Sequence, residues 1–315
     1  MAEFALIERI RARAATRGDV LLGIGDDAAV LAVPPGQALV VAMDTLNAGV
    51  HFPGDTTAEA VGAKALAVNL SDLAAMGAAP AWCTLSLSLP DADAGWVDGF
   101  LDGFLALAAA HRVALVGGDT TRGPLSVCVT VHGLAEPRGL LRRDGARVGD
   151  DIWVSGTLGD AAGALAQWRA GGEVEATLRA RLDRPSPRVA LGAALAGLAH
   201  ACIDVSDGLA ADLGHVCHAS RVGARVDVDA LPASPALRAA FEGEVLRHLQ
   251  ACGGDDYELC FTAPVTARLA LADAALMADV AITRIGTVVE APGVALHDAA
   301  GAPWLPRNAG WQHFA

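Results

Sequence analysis

Hydrophobic and polar positions along the chain follow two alternating patterns. Short apolar runs are separated by longer alanine-rich segments, in which apolar residues recur every three or four positions. The first pattern predicts strands and the second predicts helices. The predicted strands are 38–43, 81–89, 113–118, 125–135, 151–156 and 224–229. The predicted helices are 3–16, 57–76, 93–111, 159–170, 186–199, 207–219 and 265–277. Strands that alternate with helices indicate an α/β or α+β fold.

A polar, glycine-bearing segment interrupts this alternation near the middle of the chain. Residues 142–150 read RRDGARVGD, a composition typical of a connection between domains. With 315 residues the chain is long enough to form two domains. We therefore expect domains at 1–140 and 150–315.

Composition narrows the class of protein. The net charge is −13, and the sequence has no strong basic patch, so we expect no nucleic-acid partner.

Apolar residues make up 53% of the chain and the mean hydropathy is +0.39. No uninterrupted apolar stretch reaches the roughly 18 residues that a membrane-spanning helix needs. The first residues are charged and lack the apolar core of a signal peptide, so a cytoplasmic location with no membrane partner is expected. The six cysteines show no CxxC pair, which argues against a disulfide framework or a zinc site.

Aspartates recur at the ends of apolar or glycine-rich runs. Five such runs are LLGIGDD, LVVAMDT, ALVGGDT, ACIDVSD and ACGGDD. Each aspartate alone is explained equally well as a turn residue or a helix cap. Strand ends in α/β sheets are also where ligands bind, however. Two carboxylates about 4 Å apart repel by about 4 kcal/mol at an effective dielectric near 20, so converging carboxylates need a cation. The set therefore indicates Mg²⁺-assisted phosphate chemistry.

A further aspartate lies inside the second predicted helix. Asp72 falls in step with Val61 and Val68 on the stripe that should face the core, and near the helix end where negative charge is unfavourable. One interpretation is a metal ligand at the end of that stripe. The other is a helix that breaks at Asn69, with Ser71 capping a new short helix.

The common phosphate-binding motifs are missing from the sequence. Lys64 is the single lysine, and no GxxxxGK[ST] loop surrounds it. The protein-kinase motifs and GxSxG are absent as well, and GIGDDA departs from GxGxxG. Phosphate charge would then be met by metal ions, by glycine amides such as Gly117 and Gly118, and by arginines such as Arg122 or Arg143.

Seven long motifs in this order resemble the thiamine-monophosphate kinase family. They are GIGDDAAVL, DTLNAGVHF, KALAVNLSDLAAMGAAPAW, GGDTTRGPLSVCVTVHG, GDDIWVSGTLGDAAGAL, IDVSDGLAADLGH and GGDDYELCFT, and the resemblance runs from about Phe4 to Phe314. It implies a fold similar to the aminoimidazole-ribonucleotide synthetases, with an N-terminal sheet domain that dimerises and a C-terminal α/β domain that completes the active site. It also implies Mg²⁺-dependent transfer of the γ-phosphoryl group of ATP to thiamine monophosphate in a homodimer.

The resemblance also implies roles for individual residues. The implied metal ligands are Asp27, Asp44, Asp72, Asp119, Asp204 and Asp207, of which Asp44, Asp119, Asp204 and Asp207 are the catalytic candidates. The implied nucleotide contacts are Gly118, Asp119, Arg143 and Ser206. The implied substrate contacts are His51, Asp255 and Trp311.

Three of these positions have a plainer explanation, and the sequence departs from the family pattern in three places. One is the aromatic residue near the C-terminus, which varies among relatives and is Trp311 here. His51 is equally explained as a turn residue, Arg143 as a solvated charge and Trp311 as a packing aromatic. Asp255 stands where relatives often have glutamate. Ala42 and Met43 stand where relatives often have hydroxyl groups, so any metal contact there would use backbone oxygen.

Two alternative functions fit parts of the sequence. One is another ATP-dependent synthetase of the same superfamily. A selenophosphate synthetase should carry a reactive cysteine in an N-terminal glycine-rich loop, but the first cysteine here is Cys83. A maturation protein of this fold should end in cysteine, but this sequence ends GWQHFA. The other alternative is a non-catalytic divalent-metal binding protein, which leaves the paired glycines and His51 unexplained.

Overall fold

The chain forms two compact units in a computed structural model. The model describes residues 3–308 and 310–311, and only the backbone of Glu3 and Phe4. The first unit comprises Met1–Leu73 and Ala78–Arg138, and the second comprises Ala74–Gly77 and Gly139–Ala315. Within the described residues, no helix combines the length and apolar character needed to cross a membrane.

The first unit contains a four-stranded sheet and three helices. Its helices are α1 (Glu3–Arg13), α2 (Ala58–Ala75) and α3 (Ala94–Ala110), and the last two residues of α2 belong to the second unit. Its strands are β1 (Val20–Leu22), β2 (Val30–Leu31), β3 (Ala38–Asn47), β4 (Ala79–Leu89), β5 (Ala114–Arg122) and β6 (Ser126–Ala135). The sheet order is β3-β6-β4-β5, in which β4 and β5 are parallel and the other pairs are antiparallel. β1 and β2 form a separate antiparallel pair.

Small residues let helices α2 and α3 pack backbone to backbone. A Cβ atom on Gly62 would lie 2.0 Å from the carbonyl oxygen of Phe100, and one on Gly103 would lie 1.8 Å from that of Glu59. Any larger residue at these positions would force the helices apart. The alanine- and glycine-rich composition of both helices is therefore a packing requirement.

The two faces of the four-stranded sheet have different environments. Helix α2 covers one face, where a Cβ atom on Gly133 would lie 3.0 Å from the Leu73 side chain. The other face carries apolar side chains of β3 that are substantially exposed, with Leu39 at 46%, Val41 at 54% and Met43 at 62%. The strand alternation that buries one face in this way is that of a half-buried antiparallel sheet.

The second unit is built on a six-stranded mixed sheet. Its strands are β7 (Asp151–Ser155), β8 (Ala201–Asp204), β9 (Gly223–Asp227), β10 (Leu259–Ala263), β11 (Ile282–Val289) and β12 (Gly293–His297), in the order β12-β9-β11-β7-β10-β8. Its helices are α4 (Asp160–Arg169), α5 (Ala176–Asp183), α6 (Val189–Leu195), α7 (Leu209–Ser220), α8 (Pro235–Ala240), α9 (Gly243–Cys252) and α10 (Arg268–Met277). Three single-turn 3₁₀ helices complete it, at Arg143–Gly145, Val228–Ala230 and Val265–Ala267. Two clusters of buried apolar side chains form its main core.

The helices and strands predicted from the pattern are present, although the helix expected at 3–16 ends at Arg13 as α1. The helix expected at 186–199 is the shorter α6, and β3 and β5 each extend four residues beyond their predicted ends. The pattern missed strands β1, β2, β8, β10, β11 and β12 and helices α5, α8 and α9. Strand β10 shows why, because all five of its residues are buried and it therefore lacks the alternation of polar and apolar positions.

Candidate active site

Asp44 is fixed to helix α2 through its backbone. Its N–H donates to the Oδ1 atom of Asn69 at 2.9 Å, and the Asn69 amide donates in turn to the carbonyl oxygen of Ala65 at 2.9 Å. Asn69 is fully buried inside α2. This buried amide sets the position of strand β3 relative to the helix at Asp44.

Asp72 lies one turn beyond Asn69 on the same unbroken helix. Helix α2 runs from Ala58 to Ala75, so the alternative in which Ser71 caps a new helix is wrong. Asp72 is half-buried among buried neighbours, and the last turn of α2 contains no basic residue. The continuous helix therefore retains a carboxylate where both burial and the helix dipole disfavour one.

Strand register separates Asp119 from Asp44. Asp119 on β5 pairs with Ser86, Ser86 pairs with Cys128, and Cys128 pairs with Thr45, so these side chains share one face of the sheet. Asp44 neighbours Thr45 in sequence and therefore projects from the opposite face, the one that α2 covers. Strands β3 and β5 are also the two edges of the sheet, about 14 Å apart at the usual strand spacing.

A cavity of 590 Å³ opens beside Asp119 in the first unit. It is lined by Leu6, Leu89 and Asp91 and by the end of β5 from Asp119 to Arg122. Its lining combines apolar surface with carboxylate, hydroxyl and guanidinium groups. That mixture suits a ligand with both apolar and polar parts.

Gly118 precedes Asp119 in a conformation that favours glycine. Its φ angle is +149°, and a Cβ atom there would lie 1.8 Å from the carbonyl oxygen of Leu85. The strand can therefore reach Asp119 in this geometry only with glycine at position 118.

His51 lies in a tight turn that follows β3. The backbone N–H of Asn47 donates to the Nδ1 atom of His51 at 2.9 Å, and the N–H of His51 donates to the carbonyl oxygen of Asn47 at 3.1 Å. Lys64 from helix α2 donates from Nζ to the carbonyl oxygen of His51 at 3.0 Å. The ring and the backbone of His51 are thus both held by hydrogen bonds.

Asp27 lies in the exposed loop between β1 and β2, where its N–H donates to the Oδ1 atom of Asp26 at 2.8 Å. Across the described part of the chain, no three acidic, histidine or cysteine side chains are grouped closely enough to hold one metal ion. In the first unit, Asp44 projects from the helix-covered face of the sheet, Asp72 lies on that helix, and Asp119 projects from the other face.

Three separate segments of the second unit meet at the end of strand β8. The N–H of Asp255 donates to the carbonyl oxygen of Ser206 at 2.8 Å, and the N–H of Trp311 donates to that of Asp207 at 2.9 Å. Asp204, at the end of β8, is 5% exposed. Four residues predicted from distant motifs, together with Asp204, are thereby brought together by backbone hydrogen bonds.

Glycine makes the closest of these contacts possible. A Cβ atom on Gly254 would lie 2.5 Å from the carbonyl oxygen of Ser206. Asp255 and Tyr257 then adopt left-handed backbone conformations, with φ angles of 70° and 50°. Such conformations are uncommon outside glycine and concentrate at functional sites. The Tyr257 hydroxyl lies 3.1 Å from Oδ1 of Asp255 and donates to it.

Asp212 organises the loop that carries Ser206 and Asp207. Its Oδ2 atom accepts the backbone N–H groups of Ser206, Asp207 and Gly208 at 3.0, 3.0 and 3.1 Å. Burial, together with the negative charges of Asp204 and Asp207, raises the pKa of Asp212 to about 7. Burial is the larger cause of this shift, and the two neighbouring negative charges add to it.

Arg143, the fourth predicted nucleotide contact, lies in the 3₁₀ turn Arg143–Gly145 and is exposed. Its carbonyl oxygen accepts a hydrogen bond from the Ser220 hydroxyl at 2.8 Å. This contact fixes its backbone beside α7, the helix that begins after the Asp207 loop.

Sequence reasoning missed three residues that hold the site together, namely Asn69, Asp212 and Tyr257. Asn69 and Asp212 are polar residues within Ala- and Leu-rich helices, and a buried polar residue inside an apolar helix is a signal that could have identified both. Tyr257 carried no such signal, since its contact depends on the left-handed turn at Asp255.

The chemistry of the donor set fits Mg²⁺. The predicted ligands are all carboxylates, and the negative charges of Asp204 and Asp207 add to the raised pKa of the neighbouring Asp212. Hard divalent ions take oxygen ligands and relieve this repulsion.

Comparison with known proteins gives a consistent result across the chain. Residues 25–135 match the AIR synthase related protein N-terminal domain, and residues 147–299 match the corresponding C-terminal domain. The thiamine-monophosphate kinase of Salmonella typhimurium is 46% identical over 327 residues, covering 99% of this chain and 98% of that protein. The crystal structure of thiamine-monophosphate kinase from Stenotrophomonas maltophilia superposes with a TM-score of 0.89 at 55% identity, covering 96% of this chain and 98% of the other. AaThiL complexed with AMPPCP and TMP superposes with a TM-score of 0.80 at 31% identity, covering 99% and 97%.

Proposed function

The chain belongs to the AIR synthase related proteins and, within them, to the thiamine-monophosphate kinase family, and we infer from this premise that it transfers the γ-phosphoryl group of ATP to thiamine monophosphate. The products are thiamine diphosphate and ADP. The observation that carries this function is the full-length identity to kinases of that name. A relative of the same fold, AaThiL, binds AMPPCP and TMP together, which supports the pairing of a nucleotide with this acceptor.

The proposed Mg²⁺ ligands are all aspartate carboxylates. In the first unit the ligands would be Asp27, Asp44, Asp72 and Asp119, and in the second unit Asp204 and Asp207. Bound Mg²⁺ supplies neutralisation of the charge on the phosphate oxygens. The protein's own contribution includes backbone hydrogen bonds that position Asp44 and Asp207, from Asp44 to Asn69 and from Asp207 to Asp212.

The nucleotide contacts in this proposal are Gly118, Asp119, Arg143 and Ser206. The cavity beside Asp119 supports nucleotide contacts by Gly118 and Asp119, because it offers apolar surface next to polar groups. The backbone N–H of Ser206 donates to Asp212, so the position from which the Ser206 hydroxyl extends is fixed. Arg143 adds positive charge near a polyanionic ligand.

The thiamine monophosphate contacts in this proposal are His51, Asp255 and Trp311. The indole of Trp311 is 47% exposed, so its flat surface is accessible to an aromatic ring. Asp255 is fixed by its N–H bond to Ser206 and by the Tyr257 hydroxyl. A carboxylate held in this way suits a cationic or amino-bearing ring.

The transfer step requires positioning more than proton chemistry. The acceptor phosphate is already an anion, so no strong general base is needed, and the residues act by aligning the donor and acceptor. Asp44, Asp119, Asp204 and Asp207 would act through the metal ions that they hold. Direct transfer to the acceptor is the simplest course, because no side chain among the predicted site residues is an activated nucleophile.

The proposed assembly is a homodimer formed by the N-terminal domain, residues 1–140. The exposed side chains of Leu39, Val41 and Met43 form an apolar patch on one sheet face, and such patches mark interfaces. Residues 150–315 would complete the catalytic machinery with Asp204 and Asp207. The consumption of ATP fits a cytoplasmic location.

The direct test is an assay of the purified protein with ATP, Mg²⁺ and thiamine monophosphate, followed by chromatographic detection of thiamine diphosphate. Formation of one thiamine diphosphate for each ADP supports the proposal. ADP release without thiamine diphosphate would indicate another acceptor, and absence of both products would refute a kinase function.

A further inference from the structure

Lys64 is the single lysine of the chain, and it is completely buried. The other 22 members of the combined lysine and arginine total of 23 are arginines. Lys64 has 0% relative exposure inside helix α2, where it directly precedes the apolar run 65–68. Burying an ammonium group costs several kcal/mol unless it is hydrogen-bonded. A residue of this kind at the centre of an apolar helix needs a specific reason.

The hydrogen bond from Lys64 has a defined recipient. Its Nζ atom donates to the carbonyl oxygen of His51 at 3.0 Å, across 13 positions in sequence. This bond ties the turn after β3 to the helix that also carries Asn69 and Asp72. An ammonium is a compact donor on a flexible stem, whereas the planar guanidinium of arginine is larger. The site therefore fits lysine better than the arginine used elsewhere in the chain.

The ring of His51 is oriented by the same turn. The N–H of Asn47 donates to Nδ1, so Nδ1 acts as the acceptor and the proton of the neutral ring resides on Nε2. A protonated ring would place a donor on Nδ1 opposite the Asn47 N–H, which this contact does not allow. His51 therefore presents an N–H donor whose direction depends on where the turn sits.

From this geometry we propose that Lys64 is a positioning residue, which fixes the His51 turn so that Nε2–H donates to thiamine monophosphate. This inference rests on the substrate role proposed for His51. Lys64 does not touch the substrate itself, because it is buried. Its effect passes through the His51 carbonyl, so it should govern binding of the phosphate acceptor and leave ATP binding nearly unchanged.

A double-mutant cycle tests this coupling in the full-length protein. The variants are Lys64→Met, His51→Ala and the double substitution, with KM for thiamine monophosphate and for ATP measured separately. Loss of a charged hydrogen bond should raise the thiamine monophosphate KM of Lys64→Met by about tenfold or more. The KM for ATP should change by less than about twofold, and the double variant should match His51→Ala within the coupling error of such cycles.

The control is Leu66→Val, which removes one methylene from the same helix and should lower the melting temperature without separating the two KM values. If Lys64→Met does not fold, Lys64→Gln replaces it in the cycle, because its amide retains a donor with a shorter reach. If the Lys64 substitution raises the KM for thiamine monophosphate by the same factor in the wild-type and His51→Ala backgrounds, the inference is wrong. The proposed kinase function would not be affected by that result. An unchanged KM for thiamine monophosphate in His51→Ala would instead refute the substrate role of His51, and the inference with it.

Discussion

The backbone N–H of Asp44 donates to the side-chain oxygen of Asn69 at 2.9 Å, and this bond joins a sheet strand to the helix that covers it. Asn69 has no charge and lies outside the predicted ligand set. It nevertheless fixes the backbone from which the Asp44 side chain extends, and it lies three residues from Asp72. The buried amide therefore connects two predicted ligands that are distant in sequence.

Replacement of Asn69 by alanine should weaken both folding and metal use. The Asp44 N–H would lose its acceptor, which costs about 1–3 kcal/mol in a buried site. We expect a lower free energy of unfolding in urea and a higher Mg²⁺ concentration for half-maximal activity. Val68→Ala is the matched control, since it destabilises the same helix and should leave the Mg²⁺ titration unchanged. Equal Mg²⁺ titrations in the two variants would show that Asn69 serves stability only.

The separation of Asp44 and Asp119 leads to a prediction about the proposed dimer. They project from opposite faces at opposite edges of one sheet, so a single protomer does not bring them to one ion. We expect Asp44→Asn and Asp119→Asn each to cut turnover severely. After subunit exchange, a mixture should recover about a quarter of wild-type activity if each site combines residues of two protomers.

The control for this mixture is Asp44→Asn with Asp72→Asn. Asp44 projects from the face that α2 covers and Asp72 lies on α2 itself, so we assign both to the site of one protomer. A mixed dimer of these two variants would then contain no intact site. Recovery in this second mixture, or none in the first, would contradict the arrangement. Native mass spectrometry checks that exchange has occurred.

Asp72→Asn should have opposite effects on stability and on ligand binding. Removing a half-buried charge near the C-terminal end of α2 should raise the free energy of unfolding without Mg²⁺ by about 1 kcal/mol. It should weaken Mg²⁺-dependent ATP binding, measured by calorimetry. Glu59→Gln removes the same charge from the first turn of that helix, where it is favourable, and should therefore lower stability. Normal Mg·ATP binding in Asp72→Asn would exclude Asp72 as a ligand.

Asp212→Leu should disable the loop of Ser206 and Asp207 without touching either residue. Three backbone N–H groups would lose one shared acceptor. We expect a fall in kcat of at least about tenfold, because the loop would no longer hold its side chains in place. Asp212→Asn keeps an acceptor oxygen and should retain much more activity. If both variants lose activity equally, the carboxylate charge of Asp212 matters more than its geometry.

Asp151, which lies outside the predicted site, should control how the stability of the protein changes in acid. Asp151 accepts two hydrogen bonds from Arg268, at 2.7 and 2.9 Å, and these contacts lower its pKa below the ordinary value of 3.8. Because the folded-state pKa is depressed, the stabilisation is present above that ordinary value. It is lost as the pH falls through the folded-state pKa.

Arg268→Gln should therefore reduce stability at neutral pH and flatten the loss of stability in acid. Chemical denaturation between about pH 2 and 7 measures this difference. Arg169→Gln, at the exposed end of α4, should leave the acid profile unchanged. A parallel shift of the whole profile in Arg268→Gln would show that the lost contribution is packing rather than charge.

Local patterns in the sequence predicted several helices and strands of this protein. The period of apolar residues located α2, and it singled out Asp72 as a carboxylate on a core-facing stripe. Strong alternation likewise located β4 and β6. These features depend on neighbours within a few residues, so the chain itself determines them.

Other features required long-range register. Whether Asp44 and Asp119 share a face depends on how β3, β6, β4 and β5 pair, which no local pattern encodes. The grouping of Ser206, Asp255 and Trp311 likewise depends on backbone hydrogen bonds between distant segments, made possible by Gly254. The sequence thus predicted a set of candidate site residues, and tertiary packing alone decided which of them meet, because contacts between remote segments are set by the whole fold.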